Sequence, residues 1–240
     1  NQKFDSDFGI YAKYISSEDG VQNTPLDNGF TNVKIGAYYL KEERYFTWKV
    51  GGSVERNSYN WYGLPDNINF DFQSIESIQE KQRYGLYDFE GEVFFEDSYF
   101  DEIKASLSFY DDLYESKEIH FSLRPNFKFP LDVINRKWKN DLELNTKIEY
   151  LTGGFEQNYT DDTNIDYSFL NIGLNPILRF KVEDLSVKLG AKVYLAMEIE
   201  NDLTDFLAYP DIQFTYPLVS NFANIYIGAT GDIHTNSLIS

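Results

Sequence analysis

Hydrophobic and polar residues alternate along most of this chain. The clearest case is 185–199 (LSVKLGAKVYLAMEI), where every second residue from Leu185 to Ile199 is apolar and the residues between are polar or small. Strand side chains point to opposite faces with period two, so this stretch predicts a strand with one apolar and one polar face. About fifteen residues is long for a soluble strand, but a tilted membrane-crossing strand needs about nine to eleven.

The same alternation predicts eleven strands. They are expected near 8–15, 30–40, 45–56, 87–95, 103–109, 119–123, 138–150, 170–180, 185–199, 212–218 and 225–233. Connections after even-numbered strands are short, and those after strands one, three and seven are long. This asymmetry is typical of membrane barrels, which have short turns at one end and long loops at the other.

The fold class expected is therefore all-β, an antiparallel up-and-down transmembrane β-barrel. The pattern keeps its character throughout, so residues 1–240 are interpreted as one barrel portion without a plug domain. Bacterial barrels normally have an even strand number. We therefore expect the eleven strands to be part of a larger barrel, with further strands after Ser240. A soluble β-sandwich binding module is the alternative, with strands of about five or six residues.

Composition narrows the function classes. The formal net charge of -18, from 39 acidic and 21 basic residues, argues against nucleic-acid binding, which needs a basic surface. The absence of cysteine removes disulfides, thiolate metal sites and cysteine nucleophiles. The 19 Tyr and 20 Phe favour strands and the aromatic girdles of membrane barrels. No HExxH, GxSxG or Gly-rich phosphate motif occurs, so we expect neither an enzyme nor a cofactor.

An aromatic group in the longest predicted loop, 57–82, is a candidate ligand-binding site. Tyr59, Trp61 and Tyr62 lie beside a Gly and a Pro in the segment YNWYGLP. Aromatic rings offer flat apolar faces with a polar edge, which suits a ligand platform. The alternative interpretation, which we favour, is an interfacial aromatic girdle where the third strand leaves the bilayer.

A weak metal candidate lies in the predicted loop 160–167. Asp162, Asn164 and Asp166 alternate as do the first oxygen ligands of a calcium loop, but Tyr167 and Gly173 stand where that motif needs Gly and Glu. A solvated acidic loop without metal is therefore expected. The two histidines, His120 and His234, fall on polar strand faces without catalytic or metal-binding spacing.

Four segments resemble a known barrel family. NWYGLP at 60–65, FEDSYF at 95–100, YLTGGFEQNY at 150–159 and DLSVKLG at 184–190 are similar to the barrel of Bacteroidota outer-membrane proteins of the TonB-dependent-receptor-like family. The resemblance implies a barrel in the outer membrane of a Gram-negative bacterium. Its partners would be the lipid bilayer and other outer-membrane proteins or surface lipoproteins.

The resemblance leaves two function classes open. One is a transport barrel or a barrel subunit of an outer-membrane complex. The other is a structural accessory subunit of the Bacteroidota outer-membrane protein assembly machine, without transport activity. A TonB-dependent transporter also carries a TonB box and a plug domain, and neither is visible in this sequence.

Overall fold

The described part of the chain forms eleven β-strands. The computed structural model describes residues 5–18, 26, 28–61, 63–64, 71, 73, 75, 78–131, 141–156, 164–219 and 222–239. The strands are β1 Ser6–Ser17, β2 Phe30–Glu42, β3 Phe46–Asn60, β4 Lys81–Phe95, β5 Phe100–Asp112, β6 Lys117–Pro130, β7 Asp141–Phe155, β8 Ile165–Val182, β9 Leu185–Glu198, β10 Leu203–Val219 and β11 Ala223–Thr230. The predicted all-β class and strand number are confirmed.

The strands form one antiparallel sheet in which each pairs with its sequence neighbours, in the order β1 to β11. The sheet is not closed, because β1 and β11 are its two edges. Most strands have 12 to 18 residues and β11 has 8, longer than the five or six expected of a sandwich. The described residues supply no second sheet against which this one packs.

The register keeps the predicted faces aligned across the sheet. In β9, Val193 lies opposite Leu174 of β8 and Ala208 of β10, whereas its neighbour Lys192 lies opposite Tyr209. The side of Val193 is called the apolar face below and the side of Lys192 the polar face. Because the side-chain period is two, this register places apolar residues next to one another on every strand.

Burial is the reverse of that in a soluble domain. The buried apolar side chains among the described residues are Leu26, Leu151, Ile177, Val187 and Tyr194. Apolar-face residues are instead exposed, for example Ile10 at 77%, Ile35 at 55%, Phe89 at 54%, Phe206 at 73% and Ile227 at 70%. The chain exposes 17203 Å², whereas a compact 28.0 kDa protein exposes roughly 11,000 Å². Among the described residues, one whole face of the sheet therefore lacks a covering layer of protein.

Aromatic rings form a band across the apolar face near one end of the sheet. Phe100 and Phe127 lie 4.7 Å apart between ring centroids, and Phe95 lies 5.8 Å from Phe100. Phe100 reaches this face because a β-bulge after it shifts the alternation of β5. Further ring contacts continue the band from β2 to β6, through the pairs Tyr39–Trp48, Phe46–Phe95 and Phe127–Phe129.

Several predicted strand ends and connections need correction. The loop predicted from residue 57 to 82 is shorter, because β3 continues to Asn60 and β4 begins at Lys81. Strand seven begins at Asp141, and Trp138 lies outside the described residues. The connection 131–140 is one residue longer than 156–164 on the opposite end of the sheet, and 113–116 and 199–202 are short. The asymmetry between the two ends is therefore only partial.

No helix in the described part of the chain has the length and apolar character needed to cross a membrane.

Candidate functional site on the polar face

Paired charges cover the polar face of the second half of the sheet. Some of these pairs join neighbouring strands, as with Arg179 of β8 and Glu143 of β7, and others join residues two apart on one strand, as with Lys147 and Glu149. The ion pairs are Lys104–Glu102 at 2.8 Å, Lys147–Glu149 at 2.9 Å, Arg179–Glu143 at 2.9 Å, Lys188–Asp211 at 2.6 Å and Lys192–Asp232 at 2.6 Å. Although the chain is acidic overall, this face concentrates several of its bases.

A polar cavity of about 440 Å³ opens among these charges. Its lining includes the bases Lys104, Arg124, Lys147 and Lys192, the amides of Asn126, Asn145 and Asn175, and the carboxylates of Glu102 and Asp232. The Arg124 Nε donates to the Ser122 hydroxyl at 3.2 Å, and no described carboxylate lies within ion-pair distance of its guanidinium. The Asn175 Oδ1 atom is buried without a hydrogen-bond partner among the described atoms. The cavity therefore offers a ligand the Arg124 guanidinium as a donor without a carboxylate partner, and Asn175 Oδ1 as an acceptor without a donor.

The segment 231–239, which follows β11, crosses the polar face and is called the strap below. It leaves the sheet after the Gly231 N–H donates to the Pro210 carbonyl. Asp232 then accepts hydrogen bonds from Lys192 and Tyr194 of β9. This corrects the predicted strand eleven, which was expected to continue through Ile233 and ends at Thr230. The charged and phenolic partners of Asp232 lie two strands away in the sheet, so local alternation did not indicate the departure.

Beyond Asp232 the strap is held mainly through side chains. Thr235 accepts a hydrogen bond from Asn171 of β8 at 3.0 Å and donates one to Glu149 of β7 at 2.7 Å. The Leu238 N–H donates at 3.0 Å to Glu118 of β6, which also accepts from the Ser237 hydroxyl. The strap thus spans from β9 to β6.

Burial beneath the strap agrees with this path. Leu151 lies on the polar face between Glu149 and Gly153, and Gly153 is opposite Glu118 in the ladder. The strap contacts both glutamates, Glu118 and Glu149. Leu151 is 0% exposed and Glu118 is 1% exposed. The Glu118 carboxylate also accepts from the Tyr167 hydroxyl at 2.5 Å, so its burial is matched by several donors.

The predicted aromatic site is only partly brought together. Tyr59 lies in β3 rather than in a loop, and its ring meets Tyr84 edge-on at 6.4 Å. Tyr84 stacks on Tyr110 at 6.0 Å, which continues the contact onto β5. These three residues share the polar face, so Tyr59 does not belong to a girdle on the apolar face. Trp61 is 56% exposed, and Tyr62 lies outside the described residues.

The acidic loop candidate lies only partly within the described residues. Asp162 lies outside the described residues, Asn164 is exposed, and Asp166 lies in β8 rather than in a loop. The described residues contain no group of His, Cys, Asp and Glu side chains that suits a metal ion. Nearby, the pKa of the exposed Glu156 is raised because its carboxyl group shares a hydrogen bond with Glu115.

The two histidines have different roles. His120 lies on the polar face, and its Nε2 is 3.1 Å from the Glu149 carboxylate. His234 was predicted in a strand but lies in the strap, because β11 ends at Thr230. The buried acids Glu118 and Glu149 were also missed, because nothing in the alternation of β6 and β7 distinguishes them from solvated residues.

Comparison of the chain with protein-family models, with curated proteins and with solved structures finds no match. The TonB-dependent-receptor-like family and the bacterial group named above therefore stay predictions, which depend on the four quoted segments alone.

Proposed function

We propose that this chain is a non-enzymatic β-barrel wall in the outer membrane of a Gram-negative bacterium. The observation that carries the proposal is the exposed apolar face, on which large side chains from β1 to β11 are not covered by any other described part of the chain. Soluble monomers rarely expose continuous apolar surface of this extent, because its contact with water is unfavourable. In this proposal lipid covers the apolar face, while the opposite, polar face stays in contact with water.

The dimensions of the sheet agree with a bilayer. From Leu185 to Met197 the apolar face of β9 runs about 40 Å along the strand at roughly 3.3 Å per residue. At a tilt of about 40° this length corresponds to a height of about 30 Å, which is enough for an apolar band of about 25 Å. The aromatic band from β2 to β6 is the kind of girdle that marks one edge of such an apolar band.

Two functions are compatible with such a wall. A transport barrel, or a barrel subunit of an outer-membrane complex, would use the charged polar face to line a passage. The alternative is a structural accessory subunit of the outer-membrane protein assembly machine. A soluble sandwich, the third function class, is not favoured because the described strands form a single sheet.

Affinity purification of the full chain from native outer membranes tests these functions. Recovery of a surface lipoprotein, with uptake that depends on TonB, would support transport. Stoichiometric recovery of assembly-machine subunits would support the accessory role. Recovery of the chain in the soluble fraction, without detergent, would contradict membrane residence and both functions with it.

A further inference from the structure

The contact between Asp232 and the sheet has the form of an occupied anion site. The Lys192 ammonium donates to one carboxylate oxygen at 2.6 Å and the Tyr194 hydroxyl donates to the other at 2.5 Å. A cation and a phenol on one strand thus bind both oxygens of one carboxylate, and charge-assisted bonds of this kind are the stronger ones. Both donors belong to the rigid sheet, whereas the acceptor belongs to the strap.

The Tyr194 donor is positioned by packing against the neighbouring strand. The Tyr194 ring lies over Gly173 of the neighbouring strand, where a Cβ atom would approach it to 2.5 Å. Tyr194 is 6% exposed, so its ring is held by packing on both sides. The glycine therefore provides the space that directs the Tyr194 hydroxyl toward the cavity.

The cavity extends this site beyond Asp232. Lys192, Tyr194 and Asp232 lie on its wall, together with Lys147 and Arg124 from β7 and β6. Removing the Asp232 carboxylate would leave Lys192 without its described ion-pair partner, in a cavity that also contains the Arg124 guanidinium without a carboxylate. Two such cations suit a small molecule with two anionic groups.

The strap is built so that Asp232 can leave without loss of the sheet. Its contacts beyond Gly231 are mainly side-chain hydrogen bonds to Asn171, Glu149 and Glu118, and the strand ladder does not include it. The Asp232 side chain is 56% exposed, so a solute reaches it from the cavity side.

We propose that Lys192, Tyr194 and the neighbouring bases of the cavity form a binding site for small dicarboxylates, which Asp232 of the strap occupies in their absence. An external carboxylate competes with Asp232, and its binding releases the strap from the polar face. The site is independent of lipid contact, so it is tested in detergent micelles, separately from the proposed membrane location.

Titration calorimetry with succinate on the full chain tests the site. The Asp232→Asn variant should bind succinate at least tenfold more tightly than the unchanged chain, because the competing carboxylate is gone. Adding Lys192→Met or Tyr194→Phe to that variant should remove most of this gain. The neutral isostere succinamide should show no gain.

The matched control is Asp7→Asn, which changes the net charge equally and also removes a carboxylate bound by a tyrosine, Tyr38 at 3.2 Å. An equal gain in succinate affinity for Asp7→Asn would show that the effect comes from net charge alone, and would overturn the proposed site. No gain for Asp232→Asn, or a gain that survives Lys192→Met, would overturn it as well.

Release of the strap has its own readout. The chain contains no cysteine, so Asn171→Cys introduces a single thiol beneath the strap, at a position that is 6% exposed. Succinate should accelerate its reaction with a water-soluble maleimide at least fivefold, and should leave the reaction of Ser106→Cys, on the polar face away from the strap, unchanged. An unchanged rate at position 171 would refute displacement of the strap.

Discussion

Replacing Phe89 with arginine separates a lipid-facing surface from a water-facing one. Phe89 is near the middle of β4, on the apolar face, and is 54% exposed. In water, the substitution would cost only the stabilisation from the part of the Phe89 ring that packs on the sheet. In a bilayer, an arginine on the lipid face near the midplane costs about 2–4 kcal/mol. That cost lowers the folding equilibrium constant in vesicles by about 30- to 700-fold, at about 1.4 kcal/mol per factor of ten.

The control is Ser106→Arg, which places the same charge on the opposite face at a similar depth. Ser106 is exposed on the polar face and lies opposite Glu90 in the ladder, so the new arginine faces a carboxylate. An exposed pair of this kind contributes about 0–1 kcal/mol. Folding of each variant into lipid vesicles from urea, followed by protease protection, gives the two unfolding free energies. Equal values for the two variants would refute the assignment of the apolar face to lipid.

Two further substitutions test the polar face. Gly173→Ala would place a Cβ atom 2.5 Å from the Tyr194 ring, so the unfolding free energy in micelles should fall by about 1–3 kcal/mol. The control is Gly91→Ala, whose Cβ atom would have no neighbour within 4 Å, so the unfolding free energy should stay unchanged or rise slightly. Glu118→Ala removes the acceptor of the Leu238 N–H, so hydrogen exchange of that amide should accelerate at least tenfold while amides of the strand ladder keep their protection. An unaffected amide would show that Glu118 does not hold the strap.

The sheet was predictable because its cause is local. Period-two alternation needs only the residues of one strand, and with short turns it determines which strands pair and which faces align. The ends of strands were less predictable. Tyr59 and Asp166 lie in polar stretches that predict loops, yet both are paired in the ladder. Backbone hydrogen bonds extend these strands, and they do not depend on the polarity of the side chains.

The strap was not predictable, because its partners are distant in sequence. Thr235 reaches Glu149, and Leu238 reaches Glu118. The alternation of the last strand continues into Ile233, which favoured a longer β11 on local grounds. Where the chain departs, Asp232 contacts the Lys192 ammonium and the Tyr194 hydroxyl, which come within its reach only once β9 has taken its place in the sheet.

The most direct test of the account is the contact of the apolar face with lipid. Tryptophan is introduced as Phe89→Trp or Ser106→Trp in a chain whose Trp48, Trp61 and Trp138 are changed to Phe. Each protein is folded into vesicles of lipids brominated near the middle of their acyl chains. The account predicts strong quenching of the fluorescence at position 89 and little at position 106. Equal quenching at both positions, or none at position 89, would contradict it.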